Sequence, residues 1–186
     1  LKTGRNSHGT VSGNMVDVVQ HSTQYMSDSD LLAIGTYLKS LPAGKEDLPM
    51  QVAQGPAPRI AIPARAIGST EANATDAAHY NVPADLYTSR GGLGYLQFCA
   101  DCHRADGGGV KDVFPSLEGN RSLRADNAST LIHIMLTGWT TPVTQTHARP
   151  MTMPAFAKLG DQEIADILNF TRRNWGSKNA SEIKAA

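Results

Sequence analysis

The chain has 186 residues, 40% of them hydrophobic, and its 17 basic and 17 acidic side chains cancel. That balance excludes a broad cationic surface for nucleic acid or anionic lipid and confines partner recognition to local patches. Length and composition suit one ordinary core with a smaller satellite unit, and the densest apolar run, LIHIML at 131–136, falls far short of the roughly 18 residues a membrane-spanning helix needs.

The first residues, LKTGRNSHGT, are polar, carry no leader signature and lack a starting Met, as expected of a processed chain or a fragment. Residues 28–40, DSDLLAIGTYLKS, set Leu31, Ile34, Tyr37 and Leu38 on one helical face, and Ser27, three residues before Asp30, supplies a capped start. This helix ends before Pro42. From about 41 to 82 the composition turns to Pro, Ala and Gly without a sustained period, which reads as a linker. Its length marks a domain boundary or a strap lying along a surface.

A second unit begins near Pro83. A helix is expected from about 84 through Cys99-Ala-Asp-Cys102-His103, followed by the Gly-rich loop ADGGGVKDVFPSLEGN. A third helix over about 127–137 is stopped by Gly138, and after the proline-punctuated segment TTPVTQTHARPMTMPAF a last helix covers about 161–175. No strand-like alternation recurs, so the expected unit is all-α with long loops. A small fold with that much loop needs a cofactor to complete its core.

Both cysteines of the chain lie in the CADCH stretch, leaving none for a disulfide framework or a four-thiolate metal site. CxxCH suits covalent haem attachment: two thiols three positions apart reach the two vinyl groups on one porphyrin edge, and the imidazole of the next residue meets the iron. A thioredoxin-like CxxC would need strand-rich surroundings, which the pattern lacks. Cys99, Cys102 and His103 are therefore the expected anchors of one covalent haem c. A second axial ligand comes from the other side, and a thioether there raises the reduction potential relative to a second imidazole. Met151 and Met153 are the candidates, with His133, His147 and Met135 as alternatives. Trp139 or Arg149 could donate a hydrogen bond to a haem propionate. Arg104, Lys111, Arg121 and Arg124 read as solvated charges, or as a ring favouring an acidic docking face if they cluster near the haem edge.

Beyond the motif, the unit resembles the class I cytochrome c family. Gly91 and Tyr95 stand eight and four residues before Cys99, where the family has a small residue and an aromatic, and Ile167 and Phe170 match its apolar and aromatic pair on the last helix. The resemblance implies that the carbonyl of Pro115, in FPSLEG, accepts a hydrogen bond from the ligand histidine, an arrangement that orients the ring and raises its basicity. It also implies that Met153, in Met-Pro-Ala-Phe, is the sixth ligand, with Met151 a neighbour that packs or faces solvent.

Sliding the chain by 133 positions lays Leu31, Ile34 and Tyr37 over Ile164, Ile167 and Phe170, as if the last helix of two successive cytochrome domains were present while the first domain's CxxCH is missing. GTVSGNMVDVVQHSTQYMSDSDLLAIGTYLKSLP and MPAFAKLGDQEIADILNFTRRNWG resemble the ends of the second and third domains in multihaem cytochrome subunits of membrane-bound periplasmic dehydrogenases of the alcohol and gluconate type. The resemblance implies a remnant of a preceding domain at 1–40, a linker at 41–82, a class I cytochrome c domain at 83–178 and a tail at 179–186. Met15, which matches a ligand of the preceding haem in that family, has no haem of its own here and is expected to be exposed or packed. The expected function is single-electron transfer from a dehydrogenase subunit towards quinone or another cytochrome, in the periplasm and with no catalysis of its own. The alternative is a haem enzyme of peroxidase or thiosulfate-oxidising type with an open or specially ligated sixth position.

Overall fold

The computed structural model describes residues 1–6, 9–42, 59–61, 81–177 and 180–185. At the N-terminus, β1 (Arg5–Asn6) and β2 (Gly9–Thr10) form a minimal antiparallel ladder, followed by α1 (Met15–His21), a single 3-10 turn at Thr23–Tyr25 and α2 (Asp28–Ser40). The cap expected from Ser27 is formed, its Oγ accepting from the Asp30 amide at 3.2 Å. Val19 of α1 is fully buried, whereas α2 buries no residue and leaves Leu32 and Tyr37 largely in solvent. Met15 is exposed.

Most of the linker expected at 41–82 lies outside the described residues; a short piece of it, β3 (Arg59–Ala61), pairs antiparallel with β4 (Asn81–Pro83). Beyond β4 the chain makes turns rather than the helix expected from 84, because the Leu86 amide closes on the Pro83 carbonyl and the Ser89 amide on that of Asp85. Helix α3 (Arg90–Phe98) then starts with Ser89 as its cap, the Oγ accepting from the Gly92 amide at 3.0 Å. A break at Cys99 separates α3 from the single turn α4 (Ala100–His103). There follow α5 (Arg121–Arg124), which the sequence pattern did not suggest, α6 (Ser129–Thr137), the short pair β5 (Trp139–Thr140) and β6 (Thr152–Met153), and α7 (Asp161–Trp175). The helices expected over 28–40, about 127–137 and about 161–175 are present, whereas α1 and the three two-stranded ladders are additions, each ladder too short to produce an alternating pattern. Among the described residues no helix is long and apolar enough to cross a membrane.

The core forms where α3 crosses α7. Gly91 permits the crossing: a Cβ there would overlap the Asp166 carbonyl and stand 2.7 Å from the Phe170 Cβ. On the same helix Tyr95 is fully buried against Phe170 and Trp175, with ring centroids 5.6 and 4.8 Å away, and Phe170 meets Trp175 edge-on at 5.5 Å. Such aromatic contacts add roughly 0.5–1.5 kcal/mol each beyond area burial. Arg172, only 2% exposed, satisfies its guanidinium with the carbonyls of Ala125, Asp126 and Ser181, so a charged residue fastens the α5–α6 connection and the C-terminal residues to α7. Ile183 returns to α7, its amide and carbonyl both bonded to the Asn169 side chain.

Candidate functional site

The CADCH stretch is shaped by the break at Cys99. The Cys99 amide still closes on the Tyr95 carbonyl, at the end of α3, and the amides of Cys102 and His103 then close on the Cys99 carbonyl. The two thiols thus stand one helical turn apart, both free, Cys99 buried and Cys102 half-buried. Burial, with the nearby Cys102, pushes the Cys99 thiol up to about 12, so it is neutral at physiological pH.

The Nδ1 of His103 lies 2.9 Å from the Pro115 carbonyl oxygen. A carbonyl can only accept, so Nδ1 carries the proton and Nε2 keeps a free lone pair. Burial lowers the His103 pKa and the Pro115 bond opposes that shift without cancelling it, so the ring is held neutral, as a metal-binding imidazole must be. The loop from 104 to 117 that brings Pro115 back is pinned at its base, the Gly109 amide on the His103 carbonyl and the Leu117 amide on that of Gly107.

Opposite His103 stands the β5–β6 ladder, in which Trp139 pairs with Met153 and Thr140 with Thr152. Thr141 and Met151 continue it through the Thr141 amide and the Met151 carbonyl. Side chains two apart on a strand share a face, so Met151 and Met153 both line the crevice, and Met153 with Phe156 also packs on the core. Gly138, at φ +70°, lets this segment pass: a Cβ there would stand 2.7 Å from the Met153 carbonyl oxygen.

The crevice is otherwise walled by Phe98, Val113, Phe114, Trp139, Thr141, Thr152, Pro154 and Phe156. Its lining brings together seven residues singled out from the sequence: Cys99, Cys102, His103, Pro115, Trp139, Met151 and Met153. His133 is exposed on α6, Met135 is buried in the core beneath it, and His147 turns its Nδ1 to the Thr146 hydroxyl; none of the three lines the crevice. Arg149 is exposed, whereas Trp139 lines the crevice, and its buried Nε1 has no hydrogen-bond partner among the described residues.

These residues fit a covalently held haem. Two thiols one turn apart, a neutral imidazole on one side, thioethers on the other and an apolar wall are the donor set such a group requires. The unpartnered indole N–H supplies a donor for an anionic substituent. Among the described residues no cluster of three or more His, Cys, Asp or Glu gathers, so the side chains do not form a bare-metal cage. No local pattern marks Thr141, a buried residue in a proline-punctuated segment whose hydroxyl accepts from the Met151 amide.

Comparison with known proteins agrees with the geometry. A family model described as cytochrome c matches residues 89–175. Over its whole length the chain is 38% identical to the alcohol dehydrogenase (quinone) cytochrome c subunit of Gluconacetobacter polyoxogenes, of which it covers 36%. It is 34% identical, again over its whole length, to the gluconate 2-dehydrogenase cytochrome c subunit of Pantoea cypripedii, of which it covers 38%. Cytochrome c-552 of Thermus thermophilus is 32% identical over 93 residues, 46% of this chain and 67% of that protein. The chain thus spans a little over a third of the length of the dehydrogenase subunits it matches.

Proposed function

The chain belongs to the cytochrome c family, and from that premise we propose that it carries one covalent haem c in the crevice between α4 and the β5–β6 ladder and passes single electrons. The observation that carries this reading is the convergence on one crevice of both thiols, the Pro115-bonded imidazole and the Met151–Met153 face. Haem c supplies the one-electron ferric/ferrous couple. The residues supply its setting. Cys99 and Cys102 hold the group, His103 presents Nε2 to the iron, and the Pro115 carbonyl fixes the ring by accepting its Nδ1 proton. Met153 would hold the iron from the side opposite His103 and leave no site for a small molecule; the aromatic wall would keep water out and limit reorganisation as charge moves.

The partner is a dehydrogenase subunit upstream and quinone or another cytochrome downstream, in the periplasm; relatives named as cytochrome c subunits of alcohol and gluconate dehydrogenases, and as the cytochrome subunit of fructose dehydrogenase, support the dehydrogenase partner. The chain acts as an electron-transfer component of such an oxidoreductase rather than as its catalytic subunit. Residues 1–40 are the end of a preceding cytochrome domain, 41–82 the linker, 83–178 the haem domain and 179–186 its tail. A chain beginning at Asn81 that still attaches haem supports this division, and one that cannot attach it overturns the division.

The test of the function is covalent attachment. Denatured protein retains its red colour and a mass one haem above the polypeptide, and replacing Cys99 and Cys102 by Ser abolishes both. Colour that acid acetone extracts from the parent protein overturns the reading.

A further inference from the structure

The N-terminal segment reaches the crevice through one side chain. Arg5 donates from Nη2 to the Thr141 hydroxyl at 2.8 Å and from Nη1 to the Asp112 carbonyl at 3.0 Å. These acceptors belong to opposite walls. Asp112 precedes Val113 on the loop that carries Pro115, and is held at φ +62°, a backbone conformation costly for a residue other than glycine. Thr141 belongs to the methionine wall, is 2% exposed, and its hydroxyl takes a second hydrogen bond from the Met151 amide at 2.9 Å.

The segment around Arg5 is seated independently on the methionine wall. The Gln20 side chain accepts from the Val143 amide at 3.1 Å. Gln24, 6% exposed, accepts from the Gln145 amide at 2.9 Å and donates to the Val143 carbonyl at 3.3 Å. Gly4 lies so close to Pro142 that a Cβ would stand 2.9 Å from its Cγ. Arg5 is therefore presented from a fixed base, and its buried Nε makes no hydrogen bond among the described residues.

We propose that Arg5 is a positioning residue that clasps the two walls of the haem crevice, acting through Thr141 to hold the Met151–Met153 segment closed over the iron. The proposal rests on the haem reading above. Opening the methionine side requires the two walls to part, and the guanidinium is bonded to both. Its positive charge, one residue behind the wall, also favours the ferrous state, which carries one positive charge less.

The experiment uses the full haem-loaded chain and compares the parent with Arg5→Met, Arg5→Lys, Thr141→Val and the Arg5→Met/Thr141→Val pair. Imidazole added to the ferric protein must displace the thioether, so its apparent affinity reads how readily the segment opens. Arg5→Met tightens imidazole binding roughly three- to tenfold, the weight of one hydrogen bond to a charged or neutral partner, and lowers the reduction potential. Arg5→Lys recovers part of both changes. The pair binds imidazole no more tightly than Thr141→Val alone, because both substitutions break one link.

Arg5→Met protein that melts at a lower temperature yet keeps the parent's imidazole affinity and potential overturns the clasp, as do fully additive effects in the pair. If Arg5→Met does not fold, Gln24→Leu loosens the same base and must shift imidazole affinity in the same direction; parental affinity there also overturns the proposal. Failure of the haem reading itself is visible beforehand, in a parent chain without covalent haem or without the near-infrared band of methionine-bound ferric haem.

Discussion

The Tyr95 hydroxyl donates to the Arg104 carbonyl at 2.6 Å, tying the middle of α3 to the residue that follows His103. Arg104 sits at φ +64° and ψ 160°, a backbone region nearly confined to glycine, so this bond holds in place a conformation the chain would otherwise relax. The strain lies at the point where the backbone leaves the imidazole and turns towards Pro115.

Tyr95→Phe is therefore expected to cost about 1–3 kcal/mol, the penalty for leaving the Arg104 carbonyl without its donor, measured by denaturant titration of the haem-loaded protein. The pH dependence has a definite sign. Burial raises the Tyr95 phenol above its ordinary value, so above about pH 10 the unfolded chain loses a proton that the folded chain retains. The contribution is full below pH 10 and is lost as pH rises, and Tyr95→Phe flattens the alkaline decline. An unchanged decline would show that other groups set it.

Gly91→Ala forces α3 and α7 apart, because the added carbon meets the Asp166 carbonyl and the Phe170 Cβ, both on a rigid helix. The expected loss is about 3 kcal/mol or more, at the upper end of overpacking costs, read as a fall in denaturation midpoint. Gly35→Ala, inside α2 where nothing lies within 4 Å of the added carbon, is the control and stays at or slightly above parental stability.

Trp139→Phe keeps the aromatic wall and removes the buried Nε1–H. If that donor serves a haem propionate, the haem-loaded variant loses about 1.5–3 kcal/mol, the range for a hydrogen bond to a charged group, and its potential falls because the carboxylate is less well compensated. Stability and potential equal to those of the parent would place the propionates elsewhere.

The two methionines are separated by their response. Met153→His lowers the potential and erases the near-infrared band of methionine-bound ferric haem, since an imidazole stabilises ferric iron relative to a thioether. Met151→Leu leaves both nearly intact. Reversal of the two outcomes makes Met151 the ligand.

Features whose cause is local were legible in the sequence. The Ser27 cap, the Gly138 stop and the last helix at 161–175 each depend on residues within a turn or two, and each formed as read. The proline turn before α3 was missed because the carbonyls of Pro83 and Asp85 capture amides that a helix would have used elsewhere. Helix α5 is a single turn, too short to leave a period. On the haem side, CADCH declared itself by spacing, and Pro115 came from family resemblance. Thr141 and Arg5 could not be read at all: they lie 136 residues apart, and neither carries a local pattern that requires the other. The strand pairing of Trp139 with Met153 was hidden for a related reason, two residues being too few to alternate.

The two walls of the crevice therefore differ in how far along the chain their parts must travel. Apart from the Arg5–Asp112 bond, the imidazole wall is closed by bonds between residues no more than twelve apart, from Tyr95–Cys99 to His103–Pro115. The methionine wall is completed only when residue 5 has found residue 141. Loop closure grows more costly with chain length, and non-local contacts form late, so the imidazole wall takes shape before the N-terminal segment fastens the methionine wall.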